Sequence, residues 1–463
     1  MGLLDATLLL VGSMIGSGIF IVPSLIAKNI AAPGIYLGLW VLIGAVTLLG
    51  ALAYGELSAL FPHAGGQYVF LRWALGPLPS FLYGWTLLLV IASGGCAAVS
   101  IAFAKYLGVF LPVIGESHVM FTIQLWGYHV TISTAQLIAV IVPVFLSWVN
   151  TRGIEAGARI QNLFTIAKLA ALLLLMSLSF ALGKGYARNF LPLWSTEVPK
   201  VPGVAQVGFL AALGTAASMT LFTYDAWNTV TFAAAEIREP GKNLPRALIF
   251  GTLVTTLTYI GTVAAFLYLV PLDRMANVPE NRIAAEAARI LVGDTGTFLV
   301  AGAILISTFG CINGLILGSA RVLYAMAHDG LFFAVAGRVN ARQAPHIALY
   351  MLGSWSAVLV LSGQYDHLLT YTAFAGLLFN SATVASVYLL RKKRPDAHRP
   401  YLTWGYPVTP ALFIIIALLF IIYIIYGNPK TSLYGLLLIL LGVPMYWIGF
   451  VRHKMKLPLP DPA

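Results

Sequence analysis

Two short stretches place polar and helix-breaking residues inside apolar surroundings. In LLLVGSMIGSGIFIVP, residues 8–23, three glycines, two serines and a proline interrupt what otherwise reads as a membrane helix. In LFTYDAWNTV, residues 221–230, Asp225, Asn228 and several hydroxyls lie within another apolar run. Unwinding a helix frees N–H and C=O groups that hydrocarbon cannot satisfy, so such breaks persist only beside protein, water or ligand. A zwitterion satisfies both kinds of group. The N–H groups that open the half-helix after GSG carry the positive end of its dipole and suit a carboxylate. Carbonyls at the end of the preceding half-helix and at the second break suit an ammonium. Glycine lets a carboxylate approach the backbone with no Cβ in the way. A packing reading stands beside this one, because Gly12 and Gly16 also form a G-x-x-x-G. A dinucleotide fingerprint does not fit, since Ile21 stands where the third glycine belongs and no strand precedes it.

The elements that must position these breaks are membrane helices. The chain is 59% hydrophobic and 9% charged, against roughly a quarter charged in soluble proteins. Twelve apolar runs fall near residues 4–29, 36–60, 79–111, 132–149, 160–182, 205–236, 246–271, 296–327, 345–362, 367–390, 407–426 and 433–451. The first lacks a basic n-region and an A-x-A-like site, so it is expected to remain in the mature protein. The expected fold class is therefore all-α integral membrane with 12 transmembrane helices. Lysine and arginine concentrate in loops facing the cytoplasm. An inside amino terminus puts most of the 27 there, including Arg72, Arg152, Arg159, Arg238, Arg321, Arg391–Arg394, Arg452, Lys454 and Lys456. Lys28, Lys105, Lys184, Arg188, Lys200, Arg274, Arg282, Arg289 and Lys430 then lie outside, and both termini are cytoplasmic. This topogenic role explains the net charge of +11, and no nucleic-acid partner is implied.

No H-E-x-x-H, paired C-x-x-C or G-x-S-x-G occurs, so neither an enzyme, a metal site nor a cofactor is expected. Cys96 and Cys311 lie inside apolar runs and read as small hydrophobes. A pair of broken segments at matching positions of two halves is the sequence pointer to a transporter's binding site. Runs one and six open two five-helix sets, residues 1–183 and 204–390, with two extra helices at 401–452. A five-plus-five inverted repeat with discontinuous helices 1 and 6 fits that arrangement.

Five stretches carry a resemblance that spans nearly the whole chain: GSMIGSGIF, FPHAGGQYVFLRWALGP, FTYDAWNTVTFAAAEIREPGKNLPRAL, STFGCINGLILGSARVLYAMAHDGL and LLRKKRPDAHRPY. By these the chain resembles the amino acid–polyamine–organocation superfamily, and within it the L-type, heterodimeric-type light chains and their bacterial homologues. The resemblance implies a LeuT-like fold and alternating access around a central amino acid site in a cell membrane. It puts the carboxylate-binding loop on Ile15, Gly16, Ser17 and Gly18, and the helix 6 break on Phe222, Thr223, Tyr224 and Asp225. Phe222 takes the place of an aromatic gate over bound substrate, and Trp227 matches the aromatic of the same motif. Bundle packing is the other reading of each ring. Asp225 is a functional candidate as an ionisable group within a membrane run, or a cap on a half-helix amino terminus.

Lys168 lies deep in run five, where a charge costs several kcal/mol unless partnered. In similar sodium-independent members a lysine at this place puts its ammonium where sodium-coupled relatives bind an ion, bridging the helix 1 break to helix 8, where Ser307 is the candidate partner. Glu56 and EIREPGKNLPR are expected to form cytoplasmic salt bridges or gate contacts, and AGGQYVFLRWALGP to lie as an amphipathic segment on the inner surface. The animal light chains carry a cysteine between helices 3 and 4 for a disulfide to a heavy subunit. Residues 112–131 here contain none, so no disulfide-linked heavy subunit is expected. The implied function is sodium-independent exchange of neutral L-amino acids. Two alternatives stand beside it: proton-coupled uptake through Lys168 or Asp225, with cationic substrates, and a non-transporting amino acid receptor or scaffold.

Overall fold

Each apolar run folds into helix, because hydrocarbon leaves the backbone no other partner than itself. The computed structural model describes residues 1–63, 65–125, 128–152, 157–201, 207–362 and 365–451. Arg452, Lys454 and Lys456, assigned to the cytoplasm from the sequence, lie outside the described residues. In chain order the helices are α1 (Leu3–Met14), α2 (Gly18–Ala27), α3 (Pro33–Leu60), α4 (Gln67–Leu75) and α5 (Pro77–Leu107). A β-hairpin follows, β1 (Val119–Leu125) and β2 (Tyr128–Ser133). Then come α6 (Thr134–Asn150), α7 (Gly157–Ala181), α8 (Phe209–Thr223), α9 (Pro240–Leu269), α10 (Ile283–Val292) and α11 (Asp294–His328). The last four are α12 (His346–Ser362), α13 (Tyr365–Lys393), α14 (Val408–Gly427) and α15 (Pro429–Gly449).

Among the described residues, nine spans are long and apolar enough to cross a bilayer, counting α1 and α2 as one, and three more helices are apolar but shorter. Their ends follow local chemistry. Proline stands at the first position of α3, α5, α9 and α15, where its missing N–H is not needed. A reciprocal cap opens α6: Ser133 Oγ accepts from the Gln136 N–H at 3.3 Å, and Gln136 Oε1 accepts from the Ser133 N–H at 2.9 Å. The hairpin is the exception to an all-helical chain. It pairs antiparallel, Phe121 opposite Ile132 and Thr122 opposite Thr131.

The breaks sit at the centre. The span Leu3–Ala27 is almost wholly enclosed, with α1 packed on α7 and α9 and α2 on α8. Helices α3, α5, α11 and α13 complete the ring around them. Within α5, Leu87–Ile91 form a π turn, and Trp355 of α12 donates to the Leu89 carbonyl at 2.9 Å.

Ion pairs gather at the two ends of the bundle. On one, the amino-terminal ammonium donates to the Glu236 carbonyl at 2.7 Å and Arg321 pairs with Glu236 at 2.8 Å. There Arg72 also pairs with Asp329, and Glu56 holds Arg391 at 2.7 Å and Arg399 at 3.3 Å, as expected for Glu56. On the other, Lys105 pairs with Glu116 at 2.8 Å and Glu286 with Arg274 and Arg289. One expectation fails on the first face. The α4 segment is an interior wedge, with Tyr68, Phe70 and Leu71 fully buried against α13 and α3, so it does not lie on the membrane surface.

Candidate functional site

The first break spans Ile15–Ser17. Ile15 leaves the helical region at ψ 82°, its N–H still bonded to the Val11 carbonyl at 2.9 Å, and the Gly16 N–H turns back to the Met14 carbonyl at 2.8 Å. Helix α2 then starts at Gly18, and its first N–H groups have no acceptor in their own helix. Both glycines are sites of close approach. A Cβ on Gly16 would lie 2.8 Å from Cys311 Sγ, and one on Gly18 would meet Thr223 Oγ1, Cγ2 and Cβ at 2.6, 2.7 and 2.9 Å. Bare backbone at Gly16 and Gly18 lets the two breaks and α11 converge.

The second break spans Tyr224–Asn228, where Ala226 adopts φ +66°. The chain continues as a 3-10 stretch, Thr229–Glu236, in place of a second α-helical half. Its hydroxyls explain that. Thr229 Oγ1 donates to the Ala226 carbonyl and Thr231 Oγ1 to the Asn228 carbonyl, both at 2.7 Å, satisfying acceptors three residues back.

Two side chains tie the breaks in place. Lys168, buried on α7, donates from Nζ to the carbonyls of Gly12 and Ile15, each at 2.8 Å. Hydrogen bonds to a charged group contribute about 1.5–3 kcal/mol each, so this ammonium holds the end of α1 open. The Tyr259 hydroxyl of α9 lies 2.7 Å from the Met14 carbonyl and 3.0 Å from the Thr223 carbonyl, one group spanning both breaks. Tyr259 was not picked from the sequence, where it is one more aromatic in an apolar run.

Between the breaks lies a cavity of about 700 Å³. Gly16, Ser17, Gly18, Phe222, Thr223 and Asp225, all singled out from the sequence, line it. Leu87 and Ile91 of the π turn and Leu315 of α11 supply apolar wall, and Cys311, its thiol donating to the Ser13 carbonyl at 3.6 Å, lies in the same wall. The far end is polar. There Asn228 donates to Gln67 Oε1 at 2.8 Å, Gln67 to Thr383 at 3.0 Å, and Tyr54 to Asn380 Oδ1 at 2.8 Å. Gln67 and Asn380 were missed, although Asn380 is an amide inside an apolar run, which is itself a signal.

Ile15 takes part through its backbone, its side chain fully buried in the core and its carbonyl accepting from Lys168. Three sequence expectations need correction. Tyr224 turns away, its hydroxyl donating to the Trp40 carbonyl at 2.9 Å and its ring resting on Trp40 and Tyr259. Trp227 does not cover the cavity. It meets Tyr54 edge-on, ring centroids 4.6 Å apart, over Gly50, because the left-handed Ala226 reverses the chain between it and Phe222. Ser307 is buried and its hydroxyl makes no hydrogen bond, so it does not partner Lys168. Asp225 lines both this cavity and a smaller one of about 390 Å³ behind it, beside Thr47 and Asn380. Among the described residues no cationic side chain pairs with it, and no group of His, Cys, Asp or Glu is arranged to hold a metal ion.

A family model described as amino acid permease matches residues 1–450. The large neutral amino acids transporter small subunit 2 of Mus musculus is 30% identical over 463 residues, 98% of this chain and 82% of its own. The Asc-type amino acid transporter 1 of Mus musculus is 28% identical, covering 98% and 82%. The b(0,+)-type amino acid transporter 1 of the same organism is 28% identical, covering 98% and 88%.

Proposed function

The chain belongs to the amino acid permease family, and from that premise we propose that it exchanges neutral L-amino acids across a cell membrane, without sodium, by alternating access. The carboxylate sits on the N–H groups that open α2, the ammonium faces carbonyls at the breaks, and Phe222 closes over them. The fold in this reading is twelve crossings, with residues 1–183 and 204–390 as inverted repeats, and the face bearing Met1, Arg72 and Arg321 in the cytoplasm. The named relatives are amino acid transporters, which supports the substrate class.

The observation that carries sodium independence is Lys168. Carbonyls freed at the end of a broken half-helix are the groups that coordinate a coupling cation in such folds. Here the Gly12 and Ile15 carbonyls already hold a covalently tethered ammonium at 2.8 Å. A fixed charge does not travel with substrate, so in this reading no sodium ion accompanies the amino acid.

The name small subunit says that one relative works within an assembly. In this chain the two cysteines are buried within α5 and α11, so an assembly with a second subunit would be held here by contacts other than a disulfide. A second reading rests on Asp225, a carboxylate in the cavity wall with no cationic partner among the described residues. It suits a cationic side chain on the substrate, or a coupled proton.

The test is uptake of a labelled neutral amino acid into proteoliposomes at fixed pH without sodium, with and without amino acid inside. Uptake that needs internal amino acid supports exchange. Uptake into empty vesicles that rises with an inward proton gradient overturns it in favour of the second reading.

A further inference from the structure

On the face that carries Met1, Glu236 and Arg321, a second cavity of about 1110 Å³ opens beyond the central one. His63, Arg72, Arg321 and Asp329 line it. Among the described residues, Phe232 alone lines both cavities. It is 2% exposed, so its ring fills the partition.

The seat of that ring is built from glycine. A Cβ on Gly66, at φ +48°, would lie 2.9 Å from Phe232 Cδ1, and one on Gly318 of α11 would lie 3.6 Å from Cδ2. Bare backbone therefore flanks both edges of the ring. The ring also rides on the 3-10 stretch that follows the second break. The next residue, Ala233, leaves helical geometry at φ −100°, ψ 18°. A joint of non-helical backbone therefore adjoins the ring.

The opposite closure is thicker. There the Tyr106 hydroxyl donates to the Phe20 carbonyl at 2.8 Å, Lys105 pairs with Glu116, Arg282 donates to the Lys105 carbonyl at 3.2 Å, and α10 packs against α2. Several layers close that side, and one ring closes the other.

Resting on the transport reading above, we propose that Phe232 is the gate between the substrate cavity and the second cavity, and that the second cavity is the passage a zwitterionic amino acid takes beyond it. The passage suits that cargo. Its charges come as pairs, Arg72 with Asp329 and Arg321 with Glu236, so neither end of a zwitterion meets an unbalanced field. The Tyr68 hydroxyl, donating to Asp329 at 2.7 Å, braces the first pair.

The test reads the barrier directly. Ser319 lines the central cavity and not the second one. Ser319→Cys, in a Cys96→Ala/Cys311→Ala chain, reports the access of a charged, membrane-impermeant methanethiosulfonate reagent in vesicles of defined orientation. Phe232→Ala is expected to raise the labelling rate from the Arg321 face by about tenfold or more, because labelling of a closed site follows the population that opens. Phe232→Trp is expected to lower the rate, and neither change should alter labelling from the opposite face. Retention of amino acid binding in detergent shows that the variants are folded. Equal rates from the Arg321 face for phenylalanine, alanine and tryptophan would overturn the gate. Labelling does not depend on turnover, so that outcome is distinct from a failure of the exchange assay, which would overturn the transport reading itself.

Discussion

Replacing Gly18 by alanine puts a methyl carbon where Thr223 already stands. The new carbon would lie 2.6 Å from Oγ1, 2.7 Å from Cγ2 and 2.9 Å from Cβ, whereas ordinary contacts begin near 3.4 Å. Rotating Thr223 cannot relieve the Cβ contact at 2.9 Å, so the two breaks must part by about half an ångström. Overpacking of this kind costs about 1–3 kcal/mol. Charged to the binding site, that is roughly a 5- to 150-fold loss of affinity at 1.4 kcal/mol per decade. The assay is equilibrium binding of a tritiated neutral amino acid to purified protein in detergent, with counterflow in proteoliposomes as the second readout. Thr223→Gly removes all three clashing atoms and should restore most of the loss in the Gly18→Ala background, while Thr223→Ala, which keeps the Cβ, should restore less. Wild-type binding by Gly18→Ala alone would refute the steric argument. Failure of Thr223→Gly to recover any affinity would show that the ligand itself needs the space above Gly18.

Three further outcomes are expected. Lys168→Met removes two charge-assisted hydrogen bonds and leaves the Gly12 and Ile15 carbonyls without their donor. At about 1.5–3 kcal/mol each, binding should fall by two decades or more, and near-normal exchange by this variant would contradict the role of the ammonium. Cys311 faces the cavity and Cys96 is fully buried. N-ethylmaleimide should therefore inhibit slowly, substrate should protect, and Cys311→Ala should abolish the effect, whereas inhibition that persists in Cys311→Ala places the cavity elsewhere. Asp225→Asn keeps shape and removes charge, so neutral amino acid exchange should stay within about threefold, since no cationic partner is left behind. Competition by lysine, if the wild type shows it, should be lost, and a collapse of neutral exchange would make Asp225 part of the common site.

The legible parts of the sequence were those where a residue contradicts its surroundings. Gly16-Ser17-Gly18 is conspicuous in an apolar run, and so is Lys168, because hydrocarbon tolerates neither loose backbone nor an unpaired charge. The helices themselves follow from run length, as 79–111 against Pro77–Leu107 illustrates. Rotational phase was not legible. An aromatic in an all-apolar helix carries no mark of which neighbour it faces, so Tyr259 was overlooked and Trp227 misassigned. The fate of Trp227 turned on the sign of φ at Ala226, which alanine does not announce. The α4 segment read as amphipathic from its own residues, but its burial depends on α13, an element distant in sequence. The hairpin did leave a trace that went unread: Val119, Phe121, Ile123 and Leu125 alternate with Met120, Thr122 and Gln124, the period of a strand.

The central claim is that an amino acid lies between the two breaks and is held there by backbone. A cryo-electron microscopy map of the protein with a saturating neutral amino acid tests it most directly. The account predicts ligand density whose carboxylate lies within about 3.2 Å of N–H groups at the start of α2, beneath the Phe222 ring. Density seated on side chains elsewhere in the bundle, with the Ser17–Ile19 backbone bare while binding is saturated, would contradict it.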